Sequence, residues 1–378
     1  MNIFMKSISR IHTHNFGIQL ALRNFHVTKV QYLYSPSALG LDGYLYTRKK
    51  TKEQFAHFTD NFRIKINDFV SDPKHMIFTE DLKNMVHIAE PTDLNLILDM
   101  VKKFNTQKTE FRFGSFVFGP VVMRMFYFLD APTEALKCFE DPDNVGFFDQ
   151  LVSYQILLDL LYNHEMYDDM YRIFEKVKEL QLNMTKYPKY PVVLILAACY
   201  KQNTPQSYEY AKALWKDMSS LGTLPLRRSC TFMSALALKN GEPHLALECI
   251  ALQTPHYVTV RNIRVIALCQ VGRVDDALPI LRGVLDVDIP NRVDKHTFFP
   301  ETVCIFFKFL KQQVKLKNYN RPDILITHNN SMRGKNITEK DTLDKLVTSE
   351  IILSVKKDNK PRGMPRMSFG HRKKNMLS

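Results

Sequence analysis

The 378-residue sequence predicts an all-α fold, an α-solenoid of stacked helix-turn-helix repeats with a short helical C-terminal extension and disordered basic ends. Two observations predict it. Apolar helical stretches recur at intervals of 31 to 38 residues, and each is followed by a polar break and then an amphipathic helix. The composition agrees, because 45% hydrophobic residues with only 13 glycines is typical of a helical globular chain.

The N-terminal segment, residues 1–30, is predicted to be a mitochondrial transit peptide. Residues 1–41 contain four basic residues and no acid, and Phe4, Ile8 and Ile11 recur at helical spacing. A basic amphipathic helix without acids is typical of such a presequence. An ordinary N-terminal helix or a membrane-surface helix is the alternative. The interpretation places the mature protein in the mitochondrial matrix.

The positive charge lies mainly at the two ends of the chain. The formal net charge is +13, residues 1–41 carry +4 and residues 354–378 carry +7, so 13 less 4 less 7 leaves +2 on the body. This distribution excludes a uniformly basic globule. The tail at 354–378 is predicted to be disordered, and RNA tethering, contact with ribosomal RNA or an acidic protein, and simple solvation all remain open for it.

The repeats fill a predicted array at residues 50–290. A single two-helix unit cannot bury both of its apolar stripes, so neighbouring units must stack on it. A C-terminal helical extension follows at 291–353, with helices predicted at 298–317 and 338–356, the second capped by Thr338. An irregular helical bundle is the alternative. The predicted repeats open at Phe78, Phe118, Val152, Tyr190, Arg227 and Val258.

Two stretches carry a resemblance to a known family. The stretch "VSYQILLDLLY" followed by "YDDMYRIFEKVKE", and "LCQVGRVDDAL" at 268–278, resemble the pentatricopeptide repeat, with an aromatic, a polar residue and an aliphatic pair in its first helix. The resemblance covers about residues 50–300. It implies that the first helices bind single-stranded RNA, about one base per repeat, each base being contacted by two or three side chains.

The resemblance also implies positions for the RNA contacts. Registering the first helices makes Gln155, Val193, Thr231 and Asn262 equivalent as base-facing residues, and all but Val193 are polar. The residue three positions earlier sandwiches the bases in the family, which singles out Tyr190 and Arg228. The residues that close each repeat (Gln150, Pro188, Leu226 and Tyr257) depart from the Asp or Asn of the family, so a base code is left open.

Cations near the openings of the first helices complete the candidate set. They could contact phosphates, or they could be solvated charges at helix ends. The candidate RNA-binding residues are Gln155, Tyr190, Arg227, Arg228, Thr231, Arg261, Asn262 and Arg264.

No catalytic, metal-binding or cofactor-binding site is predicted. The sequence has no zinc-deaminase, phosphate-loop, nucleophile-elbow or metalloprotease motif, and its six cysteines are scattered singly. Clusters of Asp at 141–149 and 286–288 fall in apparent turns, where Asp is common. No apolar run approaches the roughly 20 residues that span a bilayer, so stable membrane insertion is not expected.

These expectations define two functions. The first is a mitochondrial RNA-binding repeat protein that acts in mRNA processing and maturation and so supports the respiratory chain. Its partners are single-stranded mitochondrial RNA and separate RNA-processing enzymes or the mitoribosome. The alternative is a non-catalytic protein-interaction scaffold associated with the mitoribosome, which the near-neutral body and the poor base-reading pattern favour.

Overall fold

The computed structural model of the chain describes residues 33–107, 116–254, 257–285, 298–317 and 342–352. These ranges contain sixteen α-helices and one isolated β-bridge, which joins Tyr34 and Ile351. Among the helices described, none has the length and apolar character needed to cross a bilayer. The predicted transit peptide at 1–30, the basic tail at 354–378 and the predicted cap Thr338 lie outside the described residues.

The helices follow one another in pairs joined by short turns. Their bounds are α1 Leu41–Phe55, α2 Thr59–Ser71, α3 Thr79–Ile88, α4 Leu94–Thr106, α5 Gly119–Phe128, α6 Pro132–Glu140, α7 Leu151–Asn163, α8 Tyr167–Leu180, α9 Lys189–Gln202, α10 Pro205–Ser220, α11 Arg227–Lys239, α12 Pro243–Cys249, α13 Val258–Gln270, α14 Val274–Leu285, α15 Pro300–Lys317 and α16 Leu343–Val347.

The predicted repeats correspond to the pairs α3/α4, α5/α6, α7/α8, α9/α10, α11/α12 and α13/α14. Each predicted opening lies at the first residue of a helix or next to it. The pair α1/α2 precedes them and packs on α3 and α4. Helix pairs in this part of the chain therefore stack as the sequence predicts, and the all-α repeat fold is confirmed.

The turns within the repeats form where the sequence has its polar breaks. Gly272 between α13 and α14 has φ 83°, a left-handed conformation that residues with a Cβ adopt at a cost. Asn203 has φ 44° after α9, a region that Asn tolerates better than most residues. Thr204 then caps α10, since its hydroxyl accepts a hydrogen bond from the Ser207 N–H at 3.1 Å. These residue types end one helix and begin the next.

The helices form two rows. The first helix of each repeat stacks on the first helices before and after it and on the adjoining second helices. The second helices are amphipathic, as α8 shows by burying only Met170, Ile173, Phe174 and Val177. The first helices of the last four repeats differ, because α7 is buried from 153 to 162, α9 from 191 to 200, α11 from 229 to 237 and α13 from 259 to 269 except at Arg264.

The C-terminal extension contributes two helices of unequal length. Helix α15 packs on α13 and α14, where Phe298 and Phe306 join a small apolar cluster with Val265 and Leu281. Helix α16 has five residues, so the predicted helix at 338–356 is shorter in the structure. Residues 350–352 are not helical, because the backbone of Ile351 pairs with residues 33–35 instead of continuing the helix.

Candidate nucleic-acid interface

The four predicted base-facing residues occupy the same register on successive first helices, and all four are buried. Gln155 on α7 is 8% exposed, Thr231 on α11 is 1% exposed, and Val193 on α9 and Asn262 on α13 are fully buried. The register deduced from the sequence therefore gives one continuous line of positions. In the conformation described, that line does not face solvent.

The segment that precedes α15 covers Asn262. Its side-chain amide donates a hydrogen bond to the Val258 carbonyl at 2.8 Å. Its Oδ1 accepts one from the backbone N–H of Phe299 at 3.0 Å, just before α15. The Thr231 hydroxyl donates to the Arg228 carbonyl at 2.9 Å, so this hydroxyl is also engaged. A base could form hydrogen bonds with Asn262 only after residues 298–299 move away.

A segment that we call the terminal strap, residues 33–36 together with 342–352, lies on the first helices. The N–H of Ile351 donates to the Leu33 carbonyl at 2.7 Å, and the N–H of Ser35 donates to the Ile351 carbonyl at 3.2 Å. Within the strap, α16 packs on α11 and α13. The strap thus joins two parts of the chain that are far apart in sequence.

The two predicted base-sandwiching residues both contact the strap. The ring of Tyr190, 37% exposed, makes an edge-to-face contact with the ring of Tyr34, with centroids 6.0 Å apart. Arg228 donates from Nη1 to the Leu346 carbonyl at 3.2 Å and from Nη2 to the Ser349 carbonyl. Burial, and then the nearby Arg227, lower the pKa of Arg228 to about 10, so it stays a cation at neutral pH.

A carboxylate in the middle of α7 also holds the strap. Asp159 is fully buried, and its Oδ1 accepts a hydrogen bond from the Tyr34 N–H at 3.2 Å. Its Oδ2 accepts another from the Tyr127 hydroxyl at 2.8 Å. Burial raises the pKa of Asp159 to about 7, although these donors act in the opposite direction.

The strap supplies a carboxylate of its own to the first helices. Asp344 on α16 accepts a hydrogen bond from the Tyr200 hydroxyl at 2.6 Å. Lys239, at the end of α11, forms an ion pair with the same oxygen, with Nζ and Oδ1 3.0 Å apart. The Lys239 ammonium also lies 3.8 Å from the centroid of the Tyr200 ring. The donors lower the pKa of Asp344 against the effect of its burial, which is the largest single influence.

The remaining candidate arginines do not form one basic stripe. The Arg227 guanidinium lies 3.6 Å from the centroid of the Tyr257 ring. Arg261 is 4% exposed, and its guanidinium is 5.6 Å from the Phe298 ring centroid. Arg264 donates to the Ile250 carbonyl at 3.0 Å, in the segment after α12. Tyr190, Arg228, Arg261 and Asn262 thus contact covering segments, whereas Arg227 and Arg264 contact the flanks of the repeats.

The residues that the sequence reasoning missed are the anchors of the strap: Asp159, Tyr200, Lys239 and Asp344. One local signal existed, since Asp159 interrupts the apolar run "QILLDLLY" on a helix with no polar face. A lone acid in such a run needs hydrogen-bond donors wherever it is buried. The partners in the strap, however, leave no local signal.

The acidic turn after α6 behaves as the sequence predicts for a turn. The Asp141 side chain accepts from the Asp143 N–H at 2.9 Å, and Lys102 forms an ion pair with Asp143 at 2.6 Å. Across the ranges that the structure describes, no group of three or more His, Cys, Asp and Glu side chains is placed to hold a metal ion.

Relatives among known proteins share this chain's sequence at low identity. The chain is 27% identical to a mouse protein over 243 residues, covering 64% of this chain and 63% of the mouse protein, and 26% identical to a zebrafish protein over 266 residues, covering 69% and 68%. The identity to a human protein is 25% over 231 residues, 61% of this chain and 59% of the human protein. All three are named "Pentatricopeptide repeat-containing protein 2, mitochondrial".

The chain is thus similar in sequence to proteins that are named for the pentatricopeptide repeat. The match spans less than two thirds of the mouse and human proteins. No family model matches the chain. These relatives are named for a repeat, and the helix pairs of this structure agree with a repeat fold.

Proposed function

We propose that the chain is a mitochondrial RNA-binding repeat protein that acts in the maturation of mitochondrial mRNA and so supports the respiratory chain. It works in the matrix without catalysis of its own, by masking a transcript site or presenting it to a separate RNA-processing enzyme. The names of the mouse, zebrafish and human relatives support the mitochondrial location.

One observation carries the RNA-binding proposal. Successive first helices place a ring at Tyr190 and a guanidinium at Arg228 in one register, and polar groups at Thr231 and Asn262 in a second register three residues later. Rings and guanidinium planes can stack on unpaired bases, and polar groups can form hydrogen bonds with base edges. Once the segments that cover them move away, a row of stacked repeats offers these groups to successive nucleotides of a single strand.

Arg227 is suited to test this proposal, since no contact between it and the strap is described and it lies at the opening of α11. Binding of a fluorescent single-stranded 20-nucleotide RNA would be measured by anisotropy over a salt series. We expect affinity to fall steeply with salt, and Arg227→Ala to reduce the slope of log affinity against log salt by about 0.7, one phosphate contact. The matched control is Arg172→Ala on the second helix α8, where the arginine is paired with Glu140.

The control should leave the slope unchanged. RNA binding that does not depend on salt, or equal effects of the two substitutions, would refute the proposal.

A second candidate function is a non-catalytic protein scaffold, and one specific observation favours it. Arg228, Asp159 and Asn262 all form hydrogen bonds with peptide groups of the covering segments. A face with such contacts can hold an extended polypeptide, including one from the mitoribosome. Lysine cross-linking in intact mitochondria followed by nuclease digestion distinguishes the candidates. Protein partners that persist, together with no salt-dependent RNA binding, would favour the scaffold.

A further inference from the structure

We infer that Lys239 and Tyr200 form a phosphate-binding subsite on the first helices, which the Asp344 carboxylate of the terminal strap occupies until RNA displaces it. The inference rests on the proposed RNA-binding function. It adds two RNA-contacting residues, and it makes the strap a competitor of the RNA.

The subsite has the components that a phosphodiester needs. The Lys239 ammonium and the Tyr200 hydroxyl converge on one oxygen of Asp344, at 3.0 Å and 2.6 Å. Charge-assisted hydrogen bonds of this kind are made equally well to a phosphate oxygen. The Lys239 side chain is 38% exposed, so an incoming strand can reach it.

The subsite lies on the same two first helices as the predicted base-sandwiching residues, at the opposite end of each helix. Tyr200 is on α9, the helix that carries Tyr190, and Lys239 is on α11, the helix that carries Arg228. Tyr190 and Tyr200 are separated by roughly 15 Å of helix, so a strand with a base near Tyr190 or Arg228 would reach the subsite by continuing along α9 and α11 toward their C-terminal ends. A backbone phosphate of that strand would replace the Asp344 carboxylate, which has the same charge sign and similar acceptor geometry.

The strap and the strand cannot occupy this face together. The strap uses the guanidinium of Arg228 for two of its own carbonyls and the ring of Tyr190 for Tyr34. It also adds the negative charges of Asp344 and Glu350, which oppose a polyanion. When the strap leaves, Arg228 and Lys239 become available and both carboxylates move away.

The strap can detach from the first helices while the repeats stay folded. Its helix α16 has only five residues, and Asp344, Glu350 and Ile352 are exposed at its surface. Leu33, Tyr34 and Val347 of the strap are buried, so closure is favoured by apolar burial. The first helices also pack on one another and on the second helices, and these contacts do not involve the strap. The apparent RNA affinity is then the intrinsic affinity multiplied by the fraction of molecules with the strap released.

The test compares single and double variants of the full chain, with a matched charge control. Asp344→Ala removes the competing carboxylate, and we expect it to tighten binding of a single-stranded 20-nucleotide RNA by about fivefold. Glu350→Ala removes the same charge from the strap, at a residue with no contact to Lys239 or Tyr200 among the interactions described, and should change affinity less than about twofold. Adding Lys239→Ala to Asp344→Ala should return the affinity to within about twofold of the unaltered chain.

Tyr200→Phe added to Asp344→Ala should also reduce the gain, by less than Lys239→Ala does, since it removes one hydrogen bond to the phosphate and leaves the Lys239 ammonium. Hydrogen exchange supplies an independent measurement: RNA should speed exchange at the amides of Ser35 and Ile351, which pair within the strap. Circular dichroism melting would verify that each variant is folded.

The outcomes separate this inference from the proposed function. The inference is wrong if the unaltered chain binds RNA with a steep salt dependence but Asp344→Ala binds no tighter than Glu350→Ala. It is also wrong if the gain survives Lys239→Ala, or if RNA leaves exchange at the strap unchanged. Failure of every variant to bind RNA would refute the proposed function and the inference with it.

Discussion

The first and second helices of the same repeats are built differently, and α7 and α8 show the contrast. Helix α8 buries one stripe and exposes the rest, and its exposed face carries ion pairs such as Arg172 with Glu140 on α6. Helix α7 is buried from 153 to 162, and its polar groups, Asp159 among them, form hydrogen bonds inside the protein. Helix α8 thus packs on the neighbouring repeats, whereas α7 is also covered by the strap.

This difference between the rows indicates which part of the molecule can rearrange. The first helices carry single polar or charged residues that are shielded from solvent. These residues form hydrogen bonds with specific partners in the strap and in residues 298–299. The repeats supply the scaffold. The strap determines whether the first helices are accessible.

The largest expected effect compares one leucine from each row. Leu157→Ala on α7, where the side chain is fully buried, should lower the free energy of unfolding by about 2–5 kcal/mol. Leu180→Ala at the end of α8, where 49% of the residue is exposed, should cost less than about 0.5 kcal/mol. Urea denaturation measures both. Similar losses at the two positions would break the distinction between the rows.

The next effect concerns the buried carboxyl of α7. Because the pKa of Asp159 is raised to about 7 from 3.8, the folded chain holds a proton that the unfolded chain has lost between these values. This residue therefore makes stability fall as pH rises through that window, by about 2–3 kcal/mol between pH 5 and pH 8. Asp159→Asn cannot titrate and should show a flatter profile in urea denaturation. Identical profiles for the two chains would contradict the proposed burial.

A smaller effect is expected at the contact between the first helices and the strap. Tyr200→Phe loses the hydrogen bond to Asp344, which should favour opening of residues 342–352 by about 0.5–1.5 kcal/mol. Hydrogen exchange should rise there and stay unchanged in the second helices. Tyr46→Phe on α1 is the control, since Tyr46 is 62% exposed, and it should alter neither region.

The smallest effect is expected on the exposed face of the second helices. Arg172→Ala removes the ion pairs of Arg172 with Glu140 and Asp169, where the arginine side chain is 51% exposed. Solvent and salt screen such pairs, so the loss should stay below about 1 kcal/mol and shrink further in high salt. A larger loss that persists in high salt would show that the second helices also depend on buried charge.

The repeats were predictable from the sequence because their signals are local. An apolar helix, a polar break containing Gly272 or Asn203, and an amphipathic helix each arise from a few neighbouring residues. The register that aligns Thr231 with Asn262 follows from the same pattern. These features gave the correct helix bounds to within a residue at each repeat opening.

The strap was not predictable because it joins residues more than 300 positions apart, Leu33 with Ile351. The apolar pattern of residues 338–356 favours a longer helix than α16, and tertiary pairing overrides that local preference. Likewise, Arg228 and Asn262 have the residue types of RNA contacts, and only the structure shows that strap carbonyls and the Phe299 N–H engage them.

The central claim is that RNA and the strap compete for the first helices, and photocrosslinking tests it most directly. Single-stranded RNA containing 4-thiouridine would be crosslinked to the unaltered chain and to Asp344→Ala, and the crosslinked peptides identified by mass spectrometry. The account predicts crosslinks near Tyr190 and Tyr200 on α9 and near Arg228 and Lys239 on α11, and these crosslinks should increase in Asp344→Ala. Crosslinks confined to the second helices or to residues 354–378, and equal in both chains, would contradict it.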